Sequence, residues 1–149
     1  MHQRVMRPVS LLCMEVSTSP ISNRTVILAD DDDVMRRLLG SVLRAAGLRV
    51  LGEAADGARA LQMFQKLQPE IVCLDIEMPE MSGLEVLTKI REGGTQPIVL
   101  MVTGATTGEN VRSAIAGHAD GIIAKPFNTA KVIGEMERAF ARAQSAKRS

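Results

Sequence analysis

Thr25-Val26-Ile27-Leu28-Ala29 runs directly into Asp30-Asp31-Asp32-Asp33, so a short apolar segment of β type ends at four consecutive carboxylates. A helical pattern starts at once. Val34, Leu38 and Val42, with the adjacent Leu39 and Leu43, form one apolar stripe, and Gly47 follows as a stop. The same alternation continues outward. Further β-type runs are Arg49–Ala54, Glu70–Leu74, Pro97–Val102 and Gly121–Ala124. Asp56 is placed to cap a second helix, in which Ala58, Leu61, Phe64 and Leu67 recur at three-residue steps. Leu84, Leu87 and Ile90 mark a third helix ended by Gly93-Gly94, and Val111, Ala114 and Ile115 a short fourth. Asn128 or Thr129 opens the fifth, with Val132, Ile133, Met136 and Phe140 facing inward. Five strands alternating with five helices predict an α/β fold, a parallel sheet covered on both faces. The near-continuous apolar runs Ile71–Leu74 and Ile98–Val102 agree, because both faces of such strands are buried.

A chain of 149 residues fits one domain and is too short for two of full size. The expected division is a disordered N-terminal extension over 1–23, a folded domain over 24–145 and a tail over 146–149, with no output domain after it. Eighteen basic and seventeen acidic side chains leave a formal charge of +1, so no global field draws the chain to DNA or anionic lipid. Trp and Tyr are absent and Phe is confined to Phe64, Phe127 and Phe140, which argues against single-strand nucleic-acid binding by stacking. Cys13 and Cys73 lack disulfide-framework or metal-ligand spacing and are expected as reduced thiols in a cytoplasmic protein. No apolar run approaches the roughly 20 residues that span a bilayer. Val9–Cys13, behind Arg4 and Arg7, is too brief for a signal peptide.

In open parallel sheets, ligands sit beyond the carboxyl ends of the strands. The first strand delivers Asp30 to Asp33 to that rim, the third Asp75, the fourth Thr103 and the fifth Lys125. Aspartates at a helix start cap free N–H groups, which accounts for Asp33 and Asp32. Asp30 and Asp31 sit earlier, where like charges repel unless a cation intervenes. With Asp75 they make a hard-oxygen set suited to Mg²⁺. Asp75 is followed by Pro79 and Gly83, which force a tight connection into the third helix. Taken alone Asp75 is a loop residue; beside a cation it is a nucleophile towards phosphorus that forms an acyl phosphate. Lys125 precedes Pro126 and is held extended, either as a solvated surface lysine or aimed at the rim. Thr103 is either an ordinary strand residue or a hydroxyl for a bound oxyanion. His118 has no ligand-type neighbour and reads as a surface imidazole.

Taken together, the acidic pair, Asp75-x-x-x-Pro79-x-x-x-Gly83, the strand-end Thr103 and Lys125-Pro126-Phe127 resemble the receiver domain of bacterial two-component response regulators, over Thr25 to about Ala143. The resemblance implies a flavodoxin-like, doubly wound five-stranded parallel sheet in the order 2-1-3-4-5 with five helices. It implies that Asp30, Asp31, Asp75 and the backbone carbonyl of Glu77 hold Mg²⁺. Asp75 is then the phosphoacceptor for a sensor histidine kinase or a histidine phosphotransfer protein, with Thr103 and Lys125 each bonding a phosphoryl oxygen. A regulator of this kind is not an enzyme in the multiple-turnover sense. It signals in the cytoplasm through phosphorylation-dependent binding of a downstream protein, without nucleic acid or membrane as partner. A role as phosphate sink or relay, and a homodimer on activation, stay open. One position departs from the family pattern. Ile122 stands three residues before the lysine, where the family commonly has Tyr or Phe, so switching is expected to rely on backbone displacement over Gly104–Thr107, Ala105 included. Glu77 and Ala105 are expected to flank the path of attacking water. Two enzymes on similar folds compete with this reading. A flavodoxin is disfavoured because four aspartates repel an FMN phosphate. A Mg-dependent aspartyl-phosphate hydrolase of haloacid dehalogenase type matches Asp30-x-Asp32 but leaves Asp75, Pro79 and Gly83 unexplained.

Overall fold

The computed structural model describes residues 19–148. The elements alternate without exception: β1 (Thr25–Ala29), α1 (Asp33–Ala45), β2 (Arg49–Ala54), α2 (Gly57–Leu67), β3 (Ile71–Leu74), α3 (Gly83–Glu92), β4 (Ile98–Thr103), α4 (Gly108–Ala116), β5 (Gly121–Ala124) and α5 (Thr129–Arg148). The strands are all parallel and ordered β2-β1-β3-β4-β5, the predicted arrangement.

Alternation along the strands divides the interior in two. Val26, Leu28, Ile71, Cys73, Leu100 and Val102 face one way and pack with Leu39, Val42 and Leu43 of α1 and Val132, Met136 and Ala139 of α5. Ile27, Val72, Leu74, Val99 and Met101 face the other and pack with Ala60 and Phe64 of α2, Val86, Leu87 and Ile90 of α3 and Ala114 of α4. Period-2 side chains from a sheet covered on both sides produce this split. Each fully buried Leu, Ile, Val or Met contributes roughly 1.5–3 kcal/mol before the entropy of ordering is counted.

Four expectations are corrected. Val34 and Leu38 do not join the buried stripe of α1 and are 71% and 44% exposed. The sheet meets α1 along Leu39, Val42 and Leu43, and at about 100° per residue Leu38 and Val34 point away from that line. Leu67 at the end of α2 and Ile115 on α4 are likewise exposed. Ala60 and Phe64 anchor α2.

The described residues before β1, from Ser19 on, pack against the core. Ile21 is fully buried in the α1/α5 core, and the Asn23 N–H donates to the Gly47 carbonyl at 2.8 Å. An isolated apolar residue between Pro20 and Ser22 has no periodicity, so sequence pattern does not reveal it. Residues 1–18, with Cys13 and the Val9–Cys13 stretch, lie outside the described residues. At the other end α5 continues to Arg148, so residues 146–148, expected in a tail, extend the helix.

Candidate functional site

Parallel register assembles the rim. Ala29 pairs with Leu74, and the next residue, Asp75, donates its N–H to the Ala29 carbonyl at 3.0 Å. Thr103 pairs with Ala124, and the Lys125 N–H donates to the Thr103 carbonyl at 2.9 Å. Asp30, Asp75, Thr103 and Lys125 therefore end neighbouring strands on one edge. Asp30, Asp75 and Thr103, at 2%, 6% and 1% exposure, are the buried polar residues among those described. Burial of this kind is costly and requires partners.

The partner is Lys125. Its Nζ lies 2.6 Å from Asp30 Oδ2 and 3.1 Å from Asp75 Oδ2, which settles its two sequence readings in favour of the rim. Burial draws the ammonium's pKa down, but hydrogen bonds to Asp30 and Asp75 outweigh it and the net direction is up. For Asp30, burial dominates and raises the pKa, against the lowering pull of the Lys125 hydrogen bond and the Asp32 amide. That amide donates to Asp30 Oδ1 at 2.9 Å. On Asp75, Oδ1 accepts from the Glu77 N–H at 3.3 Å.

The four aspartates divide their roles. Oxygens of Asp30, Asp31 and Asp75 all lie within 4.8 Å of one another. Asp32 is the N-cap of α1 and accepts from the Val34 and Met35 amides at 3.0 and 3.2 Å. Asp33 sits in the first helical turn and pairs with Arg36 at 2.6 Å. Since the Asp32 carboxylate is committed to the cap, the Asp30-x-Asp32 pair that the hydrolase reading needs is not assembled.

Three carboxylates facing a single ammonium leave the cluster short of positive charge. An all-oxygen donor set with that deficit fits a hard divalent cation. Asp31, exposed on the open side, lines a cleft of ≈ 580 Å³ with Glu77, Met78, Pro79 and Asn110.

Local sequence supports this geometry closely at one point. A Cβ on Gly83 would lie 2.0 Å from the Asp75 carbonyl oxygen, so only glycine lets α3 start against the end of β3. Gly57 plays the same part for α2, where a Cβ would lie 1.8 Å from the Met81 carbonyl oxygen.

Sequence reasoning missed two residues. Arg36 donates from Nη1 to the Asp30 carbonyl at 2.7 Å, and its Nε lies 3.4 Å from Glu53, so it ties the acidic strand end to α1 and β2. Asn110 donates from Nδ2 to the Ala105 carbonyl at 2.8 Å. Neither belongs to a motif, because each contact depends on how a loop turns back. Among the other candidates, Gly104 is exposed, Ala105 donates its N–H to Thr103 Oγ1 at 3.1 Å, and Ile122 packs half-buried on the α2/α3/α4 side. His118 is exposed, as expected. The buried Cys73 thiol is pushed up to about 12 by burial, which leaves it unreactive.

Residues 26–137 match the response regulator receiver domain family. The chain belongs to it. A curated relative, chemotaxis protein CheY of Thermotoga maritima, is 30% identical over 115 residues, which cover 77% of this chain and 96% of that one. The protein-glutamate methylesterase/protein-glutamine glutaminase 3 of Hahella chejuensis is 35% identical over 101 residues, 68% of this chain but only 29% of that enzyme. Among solved structures, the CheX–CheY–BeF3–Mg complex of Borrelia burgdorferi superposes on this receiver domain with a TM-score of 0.76 at 28% identity, covering 78% of this chain and 89% of that one. The receiver domain is a module of two-component signalling with a flavodoxin-like fold. None of its described helices is long and apolar enough to cross a membrane.

Proposed function

We propose that this receiver domain takes a phosphoryl group on Asp75 from the phosphohistidine of a sensor kinase or phosphotransfer protein. The resulting acyl phosphate changes its affinity for a downstream protein in the cytoplasm. The observation that carries the reading is one ammonium, Lys125, bridging two buried carboxylates at 2.6 and 3.1 Å, with an exposed third carboxylate beside them.

Asp30, Asp31, Asp75 and the Glu77 carbonyl would hold Mg²⁺, which when bound neutralises charge on the transferring phosphoryl group. In the transfer, a P–O bond forms to an Asp75 carboxylate oxygen as the P–N bond of the donor imidazole breaks, its electron pair returning to nitrogen. Lys125 moves its pairing from the Asp75 carboxylate to a phosphoryl oxygen. At rest Thr103 Oγ1 accepts from the Ala105 N–H; on transfer the side chain turns and its O–H donates to another phosphoryl oxygen. Burial of Asp75 and Thr103 strengthens these contacts and limits water. The chemistry is a single transfer to the protein itself rather than turnover of a substrate. Onward return of phosphate to a phosphotransfer protein gives a sink or relay; a long-lived acyl phosphate with a phosphorylation-specific partner, or a dimer, gives direct output.

Intact mass spectrometry after exposure to acetyl phosphate tests the assignment. One phosphoryl adduct is expected with Mg²⁺, none after prior chelation and none in Asp75→Asn. Persistent labelling of Asp75→Asn would refute it, and catalytic turnover of phosphate monoesters would return the hydrolase reading.

A further inference from the structure

Thr103 carries a hydrogen bond that leads away from the acidic cluster. Its Oγ1 accepts from the Ala105 N–H at 3.1 Å, and the Ala105 carbonyl in turn accepts from Asn110 Nδ2 at 2.8 Å. Asn110 lies in the first turn of α4, and its own N–H donates to Oγ1 of Thr107, the α4 N-cap, at 3.2 Å. The result is a continuous chain of bonds from Thr103, a residue 1% exposed, to the start of an outer helix.

Two further features make this chain matter. The α4 helix is lightly anchored, with Ala114 its one buried residue and Ile115 65% exposed. An element with so little apolar burial opens locally at low free energy, so individual hydrogen bonds weigh heavily in its position. The connecting loop also has open space at its first residue: a Cβ at Gly104 would meet nothing within 4 Å. On the neighbouring strand, Ile122 offers no ring to exchange between pocket and solvent.

We infer that Asn110 is a positioning residue: its bond to the Ala105 carbonyl holds the Thr103–Ala105 turn and α4 in the resting arrangement, and phosphorylation acts by releasing it. The inference rests on Asp75 being the phosphoacceptor. When Thr103 turns its side chain to a phosphoryl oxygen, Oγ1 leaves the Ala105 amide. The Ala105 peptide is then free to rotate, its carbonyl parts from Asn110, and the first turn of α4 loses its side-chain tether. The signal passes through backbone and one amide side chain, without an aromatic rotamer change.

Amide hydrogen exchange on the full chain, in wild type, Asn110→Ala and Asn110→Asp, tests this. Asp is nearly isosteric with Asn but when ionised cannot donate to a carbonyl. In chelator and without phosphodonor, both variants should exchange Ala105 and the first turn of α4 about fivefold faster than wild type, the factor expected from one lost hydrogen bond. Amides of β1 and β3 should keep their protection, which shows an intact fold. With acetyl phosphate and Mg²⁺, wild type should rise to the level of the variants. The variants should still take up phosphate on Asp75 by mass spectrometry yet show no further change in α4. Wild-type protection in the unphosphorylated variants, or an undiminished response of α4 to phosphorylation in them, would overturn the inference. Failure of wild type to be labelled at all would instead strike the Asp75 assignment, and the chelator arm alone would then decide whether Asn110 holds the loop.

Discussion

At 2% exposure, Asp30 sits between Lys125, 2.6 Å away, and the charge of Asp75, and its burial outweighs the favourable contacts to raise its pKa. The linkage follows in sign. A carboxyl whose folded pKa lies above the ordinary 3.8 stabilises the fold below that pH, and the contribution is lost as pH rises through the folded value. The charge on Asp30 therefore opposes folding wherever the group is ionised. Asp30→Asn in chelator is expected to raise Tm at pH 7 by about 3 °C, the shift that ~1 kcal/mol produces in a domain of this size. The gain should shrink as pH falls towards 3.8, where wild-type Asp30 is itself protonated. Mg²⁺ should stabilise wild type and have a much smaller effect on the variant. A variant less stable than wild type at pH 7 would show that the Lys125 contact, rather than burial, controls this group. Asp30, Asp75, Thr103 and Lys125 were legible in sequence because each directly follows an apolar run. Arg36 and Asn110 were not, because their partners are backbone carbonyls that carry no side-chain signature.

The elements meet at glycines. Gly83 opens α3 where a Cβ would lie 2.0 Å from the Asp75 carbonyl oxygen, so Gly83→Ala must push α3 off the end of β3. The expected loss is about 1–3 kcal/mol in urea unfolding, as for overpacking elsewhere, with slower phosphoryl uptake because Asp75 is displaced. Gly104→Ala is the control. Its Cβ would meet nothing within 4 Å, and the stability change should stay within about 0.5 kcal/mol. Equal effects at the two positions would remove steric contact as the explanation. At this scale sequence pattern located every strand and helix among the described residues, since alternation and capping residues act locally. It drew the buried side of α1 too wide. Val34 and Leu38 are as apolar as Leu39 and Leu43, and only the line along which the sheet meets the helix separates them.

Across the whole molecule, the described residues ahead of β1, from Ser19 on, are part of the fold. Ile21 is fully buried with α1 and α5, Ser19 Oγ donates to Glu137 on α5 at 2.8 Å, and Arg24 lies 4.6 Å from the centre of the Phe140 ring. Ile21→Ala is expected to destabilise the protein by about 2–5 kcal/mol, the range for emptying a packed core site. A midpoint in denaturant unchanged from wild type would show that the segment merely rests on the core. By itself the sequence determined the alternation of strands and helices, the acidic strand tip and the residues placed after each strand, because these depend on side-chain polarity and near-neighbour spacing. Tertiary structure alone decided which carboxylates converge on Lys125, which aspartate caps α1, which face of α1 is dry and where Ile21 is buried. Those outcomes depend on the register between strands distant in sequence and on the path of the loops, and neither is encoded in the periodicity of any one segment.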